Sequence, residues 1–582
     1  MIRPLAVAAL ALLLSAEVSG QVLRGGTNGD TPRRPVSTAH AITNARVVVA
    51  PGRVLDRATV VIRDGRIVAV RENADVPFDA QVIEGDSLTV YAGFVDAFAY
   101  AGVAEPEDPE RYEGDPGNPP RERAGLTPDL DVRTLYDASK AEVKALREAG
   151  FTAAHLAPRD GFFAGTGAVV LLRNVARGEA AEMLFLPQTE TAIAQIDPAR
   201  GVYPGTPMGV LSMMRETVEN ARRETASRTA FRRDASGATR PMYDPVAEAL
   251  APVLDGDRAL VFYTDGWLDA HRAIRVTEEM RIPNTVLAGV PDVSPVLAKI
   301  RARGLSVIAP LALPDTVKTD SLSRTIALPP PSSANPGGVS FVTDRRTISF
   351  RDTDAEKGAL TAQRLASVGA AERSPSLLAS GDVDFAFGSF EAKGKDIRAN
   401  LRRMVEAGLS PEAALAALTT APAEMMGLSG TLGTIERGKL ANLLVTTGDY
   451  FSDSTDVRFV FVEGMRHEIE NKPKAASGDP DAVVEIVGTW TYEIELPGSS
   501  EGGTMTFTGT PGSFEGTLSA QGETLNLSSV ALDGNALTFS FTAPNSGPEI
   551  TVSGIVSGLE FAGTADVGSF GAFPITATRQ PE

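Results

Sequence analysis

The stretch Tyr91–Gly102 reads YAGFVDAFAYAG, and the fold turns on it. Upstream of it, Ala41–Val70 reads AITNARVVVAPGRVLDRATVVIRDGRIVAV. That is two or three short β-rich runs joined by Pro-Gly and Asp-Gly turns. A further strand is expected at Ser87–Tyr91, followed by the Gly93-Phe-Val-Asp96 turn. The stretch is therefore where a β-rich unit hands the chain over to something else.

Beyond it, apolar strands are separated by amphipathic helices. Val132–Ala149 has helical spacing at Leu135, Val143 and Leu146, with Gly150 where a C-cap belongs. Phe151–Leu156 reads as a strand. Gly161–Leu172, GFFAGTGAVVLL, is Gly-punctuated and then continuously apolar, as a buried strand is. It lacks the Lys-Ser/Thr ending of a phosphate loop. Then come a helix over Pro204–Glu224, a strand over Ala259–Tyr263, a helix over Leu268–Met280 and a strand over Asn284–Ala288. A helix over Val293–Arg303 and a strand over Leu305–Ala309 precede the irregular, Pro-rich Thr316–Thr353. Val383–Gly388 and Asp396–Ala407 complete the pattern as strand and helix. This alternation predicts a parallel α/β barrel. The acid- and Pro-rich Ala104–Asp131 is read as a solvated excursion on the barrel's C-terminal face.

Three stretches carry a resemblance. They are Gly93–Asp96, Gly408–Gly427 (GLSPEAALAALTTAPAEMMG) and Thr431–Val445 (TLGTIERGKLANLLV). Together they resemble the amidohydrolase superfamily, nearest its imidazolonepropionase and prolidase branch. The resemblance runs from about residue 41 to 470. It implies a (β/α)8 TIM-like barrel over 91–430 and a small discontinuous β-sandwich over 41–90 and 431–470. It also implies hydrolysis of carbon–nitrogen, non-peptide bonds with zinc or another divalent metal. The family follows the Gly-Phe-x-Asp turn with Ala-His-x-His, and the matching residues here are Phe98 and Tyr100. The same alignment puts Tyr263 and Ala288 at the single His of the fifth and sixth strands. It puts Phe390, beside Ser389, at the Asp of the eighth. No fourth-strand Lys is found, since Lys144 falls on a helix, and Asn442 replaces the late Asp of the family pattern. A metal ligand must offer a lone pair at about 2.0–2.2 Å, which Phe and Ala cannot do and neutral Tyr seldom does. No cofactor is therefore expected, and the family's metal positions read as a pocket refilled with packing residues.

The totals fit a globular protein, and the N-terminus reads as an export signal. The 582 residues are 43% hydrophobic and 22% charged, enough for more than one domain and a large core. A net charge of −19 argues against a nucleic-acid partner. Residues 1–20 read as a signal peptide, with Arg3, the apolar Leu5–Leu14 and small residues up to Gly20. The apolar run is too short for a membrane anchor. A flexible leader over 21–40 follows, and a periplasmic or extracellular location is expected. With no Cys there is neither disulfide nor thiol nucleophile. After a polar linker at 471–482, residues 483–582 turn all-β. The recurring Gly-Thr pairs predict an antiparallel, closed or nearly closed module. Its Trp490, Phe507, Phe514, Phe539, Phe541 and Phe561 either fill a core or line a ligand cavity.

Little else offers chemistry. Of the 4 His, His40 precedes the sandwich, His155 is on the second barrel strand, His271 is in a helix and His467 follows the last sandwich strand. Asp96, Asp265 and Glu391, with Lys393, lie near predicted strand ends as weak catalytic candidates, or simply as the barrel's charged rim. Three readings stay open. One is a descendant with little or no activity that binds a small ligand or a protein partner. The second is a divergent hydrolase with a relocated carboxylate metal site, and the third a non-enzymatic envelope scaffold. Homo-oligomerisation is left open as well.

Overall fold

The computed structural model describes residues 39–580, apart from 107–109, 177, 238, 317–352, 453–454, 470–483, 497–498, 511–512, 521–522, 543–548 and 568–571. The expected signal peptide, almost all of the leader, nearly all of the irregular 316–353 stretch and the linker lie outside the described residues.

The chain opens with β1 (His40–Ala50), β2 (Arg53–Arg63), β3 (Arg66–Glu72), β4 (Gln81–Glu84) and β5 (Thr89–Ala92). His40 thus begins the sheet rather than preceding it. Asp64 and Gly65, both at positive φ (52° and 73°), make the tight turn between β2 and β3. The late strands β14 (Leu443–Thr446), β15 (Val457–Val462) and β16 (Met465–Glu468) join the same eight-stranded sheet through β5. His467 therefore sits within a strand of the sheet, one strand beyond the expected last one. Bulges in β1 bend the sheet, which encloses its own core of Val47, Val60, Ile62, Leu443 and Phe461.

Between these two halves runs a second eight-stranded sheet. Its strands are β6 (Phe94–Ala99), β7 (Phe151–Leu156), β8 (Phe163–Leu171), β9 (Thr191–Gln195), β10 (Leu260–Tyr263), β11 (Thr285–Ala288), β12 (Ser306–Pro310) and β13 (Phe385–Gly388), neighbours in that order. Its helices are α1 (Ala141–Glu148), α2 (Pro207–Arg233), α3 (Pro245–Asp255), α4 (Trp267–Glu279), α5 (Leu297–Arg303), α6 (Thr353–Ser380), α7 (Gly394–Glu406), α8 (Pro411–Leu418) and α9 (Thr420–Met425). The two edges of the sheet meet: Ala99 and Phe390 form a parallel bridge, and the Phe390 N–H donates to the Phe98 carbonyl at 2.9 Å. One core lies inside this ring, where Ala97, Ala157, Ala164, Ala288 and Ala386 leave room for the rings of Phe98, Tyr100 and Phe390. The larger core lies outside it, under the helices.

The all-parallel expectation needs one correction. β8 runs antiparallel to both β7 and β9, whereas β6–β7 and β9 to β13 pair parallel. The cause is local. Only residues 157–162 separate β7 from β8, and a parallel return needs a crossover of a dozen residues or more. The helix expected over Val132–Ala149 also shrinks to a 3-10 turn at Val132–Thr134 and α1. Between them the Asp137 carboxylate accepts from the N–H and hydroxyl of Ser139, a turn that competes with the helix. The Ala104–Asp131 excursion is anchored rather than free: Leu126 and Asp131 bridge to Phe163 and Thr166 of β8.

The C-terminal strands are β17 (Gly488–Leu496), β18 (Ser499–Thr510), β19 (Ser513–Ala520), β20 (Glu523–Asn526), β21 (Ser529–Asp533), β22 (Ala536–Thr542), β23 (Glu549–Ser557), β24 (Glu560–Asp566) and β25 (Ala572–Arg579). All pair antiparallel in the order β20-β19-β18-β17-β25-β24-β23-β22-β21. Among the described residues, consecutive strands are joined by ladders except β20 and β21. Trp490, Phe507, Phe539 and Phe561 are 0–1% exposed and pack together, so these rings form the module's core.

Candidate functional site

The carboxyl ends of β6, β7, β10, β11 and β13 bring the sequence-marked positions together. Phe98, near the end of β6, is the centre. Its ring lies 5.3 Å from Tyr100 edge-on, 4.8 Å from Phe390 stacked and 6.0 Å from Tyr263 stacked. Tyr263 and Phe390 are 5.8 Å apart, and Ala288 belongs to the same core. Phe98 is fully buried, while Tyr100 and Phe390 keep only 7% and 8% exposure. Such offset and edge-on contacts each add to the area the rings bury. Burial lifts the Tyr100 phenol well above its ordinary range, with Tyr263 next in effect, and burial lifts Tyr263 likewise. Both stay neutral at physiological pH.

Asp96 holds the frame. Its Oδ1 accepts the N–H of Phe98 at 3.0 Å and of Ser389 at 2.9 Å, tying the first strand of the ring to the last. The residue is fully buried, and burial pushes its carboxyl up to about 7. Asp96 is a buttress rather than a rim acid. The other two candidates go elsewhere. Asp265 and Glu391 are exposed, and Glu391 accepts from Arg159 Nη1 at 2.9 Å. The three carboxylates therefore do not assemble. Lys393 is exposed at the start of α7.

His155 lies in the ring wall, 6.2 Å from the Phe98 ring, with Nε2 2.7 Å from Thr191 Oγ1. Burial depresses its pKa to about 4, so it is a neutral hydrogen-bonded imidazole. His271 is on α4, beside Lys299. Among the described residues no group of three or more His, Asp or Glu is placed to share a metal. The five positions that the resemblance assigns to ligands offer two Phe, one Ala and two protonated phenols. These residues do not fit a divalent metal.

Arg159 was not among the sequence candidates. It follows β7 and lays its guanidinium over the Tyr100 ring, 4.5 Å from the centroid. Its one sequence signal was a place just beyond a strand's carboxyl end. Beside it a groove of about 780 Å³ runs from Tyr100 and Phe390, between α1 and α7, to Tyr450 and Val457.

The comparisons fall on this frame. Residues 362–466, from within α6 to the start of β16, match the model described as Amidohydrolase family. That stretch of the chain is similar to the amidohydrolase family. Its span covers the end of the ring and its return into the first sheet. The fold agrees with that of a crystallised amidohydrolase from Thermotoga maritima MSB8, at 19% identity and a TM-score of 0.56 over 73% of this chain and 98% of that one. Weaker structural likenesses include a Xaa-Pro dipeptidase with bound methionine (16% identity, TM-score 0.39, 74% and 100% covered). Another is molinate hydrolase (15% identity, TM-score 0.41, 78% and 100% covered). No curated protein matches the chain. None of the helices among the described residues is long and apolar enough to cross a membrane.

Proposed function

We propose that this amidohydrolase-family chain has lost metal-hydroxide hydrolysis of carbon–nitrogen bonds and acts by binding. The observation that carries the reading is the Phe98-centred stack, with Tyr100, Tyr263 and Phe390 within 4.8–6.0 Å of it. A metal that activates water needs lone pairs converging on a dry site open to substrate. Here apolar rings and protonated phenols converge instead. The ring of strands is read as a distorted (β/α)8 barrel whose interior is packed shut by these side chains. The relocated carboxylate site gains no support, because Asp96 is buried while Asp265 and Glu391 face solvent. The N-terminal apolar run supports export to the periplasm or beyond, where the protein would meet a small ligand or a protein partner.

The test is elemental analysis of residues 21–582 after loading with zinc, manganese or iron and desalting, with amide and cyclic-amide hydrolysis assayed in parallel. The expected result is almost no retained metal and no metal-dependent turnover. Retention of about one or two metals per chain, as metal-dependent hydrolases hold, together with turnover would overturn the reading.

A further inference from the structure

The geometry points to the groove between α1 and α7 as a site for an organic oxyanion: a carboxylate or phosphate ester carried on a flat apolar body. The assignment deepens the binding reading above and rests on it.

Four cations line the groove, Arg159, Lys393, Lys395 and Arg398. Among the described residues only Arg159 has a carboxylate within ion-pair distance, Glu391 at 2.9 Å. That partner is 74% exposed, so the pair is weak and easily exchanged for a ligand oxyanion. Both arginines place their guanidinium carbon over a tyrosine ring, Arg159 over Tyr100 at 4.5 Å and Arg398 over Tyr450 at 5.6 Å. These cation–π contacts hold the heads in place without using up their N–H donors, although Arg398 Nη2 already donates to the Ser452 carbonyl. The Nε of each is buried without an acceptor. α7 starts between the lysines with no side-chain cap, so the positive end of a 13-residue helix adds to the same wall. Lysines and arginines presented together recognise carboxylate and phosphate oxygens.

The opposite wall supplies room and apolar surface. Ala141, Ala145 and Ala149 of α1 and its C-terminus are small, and the Tyr100 and Phe390 rings close the rim. A flat body would lie along them while its oxyanion reaches α7. Five acidic residues also line the groove: Glu105, Glu142, Glu148, Glu391 and Asp456. They are exposed, and Glu148 lies 3.6 Å from Lys144. They oppose an anion, so only a single oxyanion set against the four cations fits, and a polyanion is excluded by them and by the net charge of −19.

The experiment is calorimetric titration of residues 21–582 with benzoate, phenyl phosphate and inorganic phosphate. It is repeated on the Lys393→Ala/Lys395→Ala and Arg159→Gln variants, with circular dichroism as the fold check. Both lysines are exposed, so their removal leaves packing intact. The expected result is saturable one-to-one binding of an aryl oxyanion, weakened about tenfold or more in each variant and by added salt. Tighter benzoate marks a carboxylate ligand, and tighter phenyl phosphate a phosphate ester. No saturation at millimolar probe, equal binding by the folded variants, or inorganic phosphate binding as well as the aryl probes would overturn the assignment. A metal-retaining, hydrolytically active protein would end the binding reading through a different assay, without touching these titrations.

Discussion

Phe390 stands at φ +52°, in the left-handed region that bulky residues rarely occupy. It is held there by its N–H bond to Phe98 and by the ring stack, so the aromatic cluster sustains a backbone conformation that the side chain alone disfavours. Phe98 is the keystone. Phe98→Ala should cost about 3–5 kcal/mol in denaturant unfolding, as a buried aromatic truncation does. A loss under about 1 kcal/mol would mean the rings are not packed as described. Asp96 gives a second residue-scale prediction. Its carboxyl holds a proton up to about 7 in the folded chain, against 3.8 for the unperturbed group. Between those values the folded chain binds the extra proton, so this residue's contribution to stability falls as pH rises. His155 and His467, depressed to about 4 by burial, act in the opposite sense as pH falls. The comparison must therefore be with Asp96→Asn. Relative to the wild type, that variant should gain stability as pH climbs from about 4 to about 7, read from melting midpoints. A pH-independent difference would refute it.

At the scale of elements, Gly394 decides how closely α7 approaches α1. A Cβ there would lie 2.5 Å from the Ala145 carbonyl oxygen. Gly394→Ala should push the helices apart and cost about 1–3 kcal/mol in chemical denaturation. A neutral result would mean that the contact gives way freely. The elements also show what a sequence can and cannot carry. The five positions marked by the resemblance, Phe98, Tyr100, Tyr263, Ala288 and Phe390, do lie in one cluster, a proximity that the Gly93–Asp96 turn and the short apolar strands made legible. The direction of β8 was not legible, since nine buried residues look the same read either way. Its sense is set by the brevity of the preceding turn. The seat of Arg159 on Tyr100 was not legible either, because the two residues share no local pattern and meet only when β6 and β7 pair. From sequence Asp96 is either a weak catalytic candidate or part of the charged rim, because it lies near a predicted strand end. Only the fold shows it turned inward to bind backbone N–H groups.

For the whole molecule, the ring's outer core and the C-terminal module's core share no residue. Ending the chain at residue 482 should therefore leave the midpoint of the ring's unfolding transition unchanged, as seen by calorimetry. A downward shift would reveal coupling between the two. The strand order of the module has a further consequence. β17 and β25, first and last, are neighbours, and the Gln580 N–H donates to the Thr489 carbonyl at 2.8 Å. Among the described residues, the interruption in the ladder falls instead between β20 and β21, at Leu527 and Ser528. The module's first and last strands thus lie beside each other, and its cheapest place to be cut is halfway round. A circular permutant that begins at Ser528, ends at Leu527 and joins the old ends by a short linker keeps every strand pair. On the ribosome the natural order is the slow one, since β17 must wait for the last strand to emerge before it gains its second neighbour.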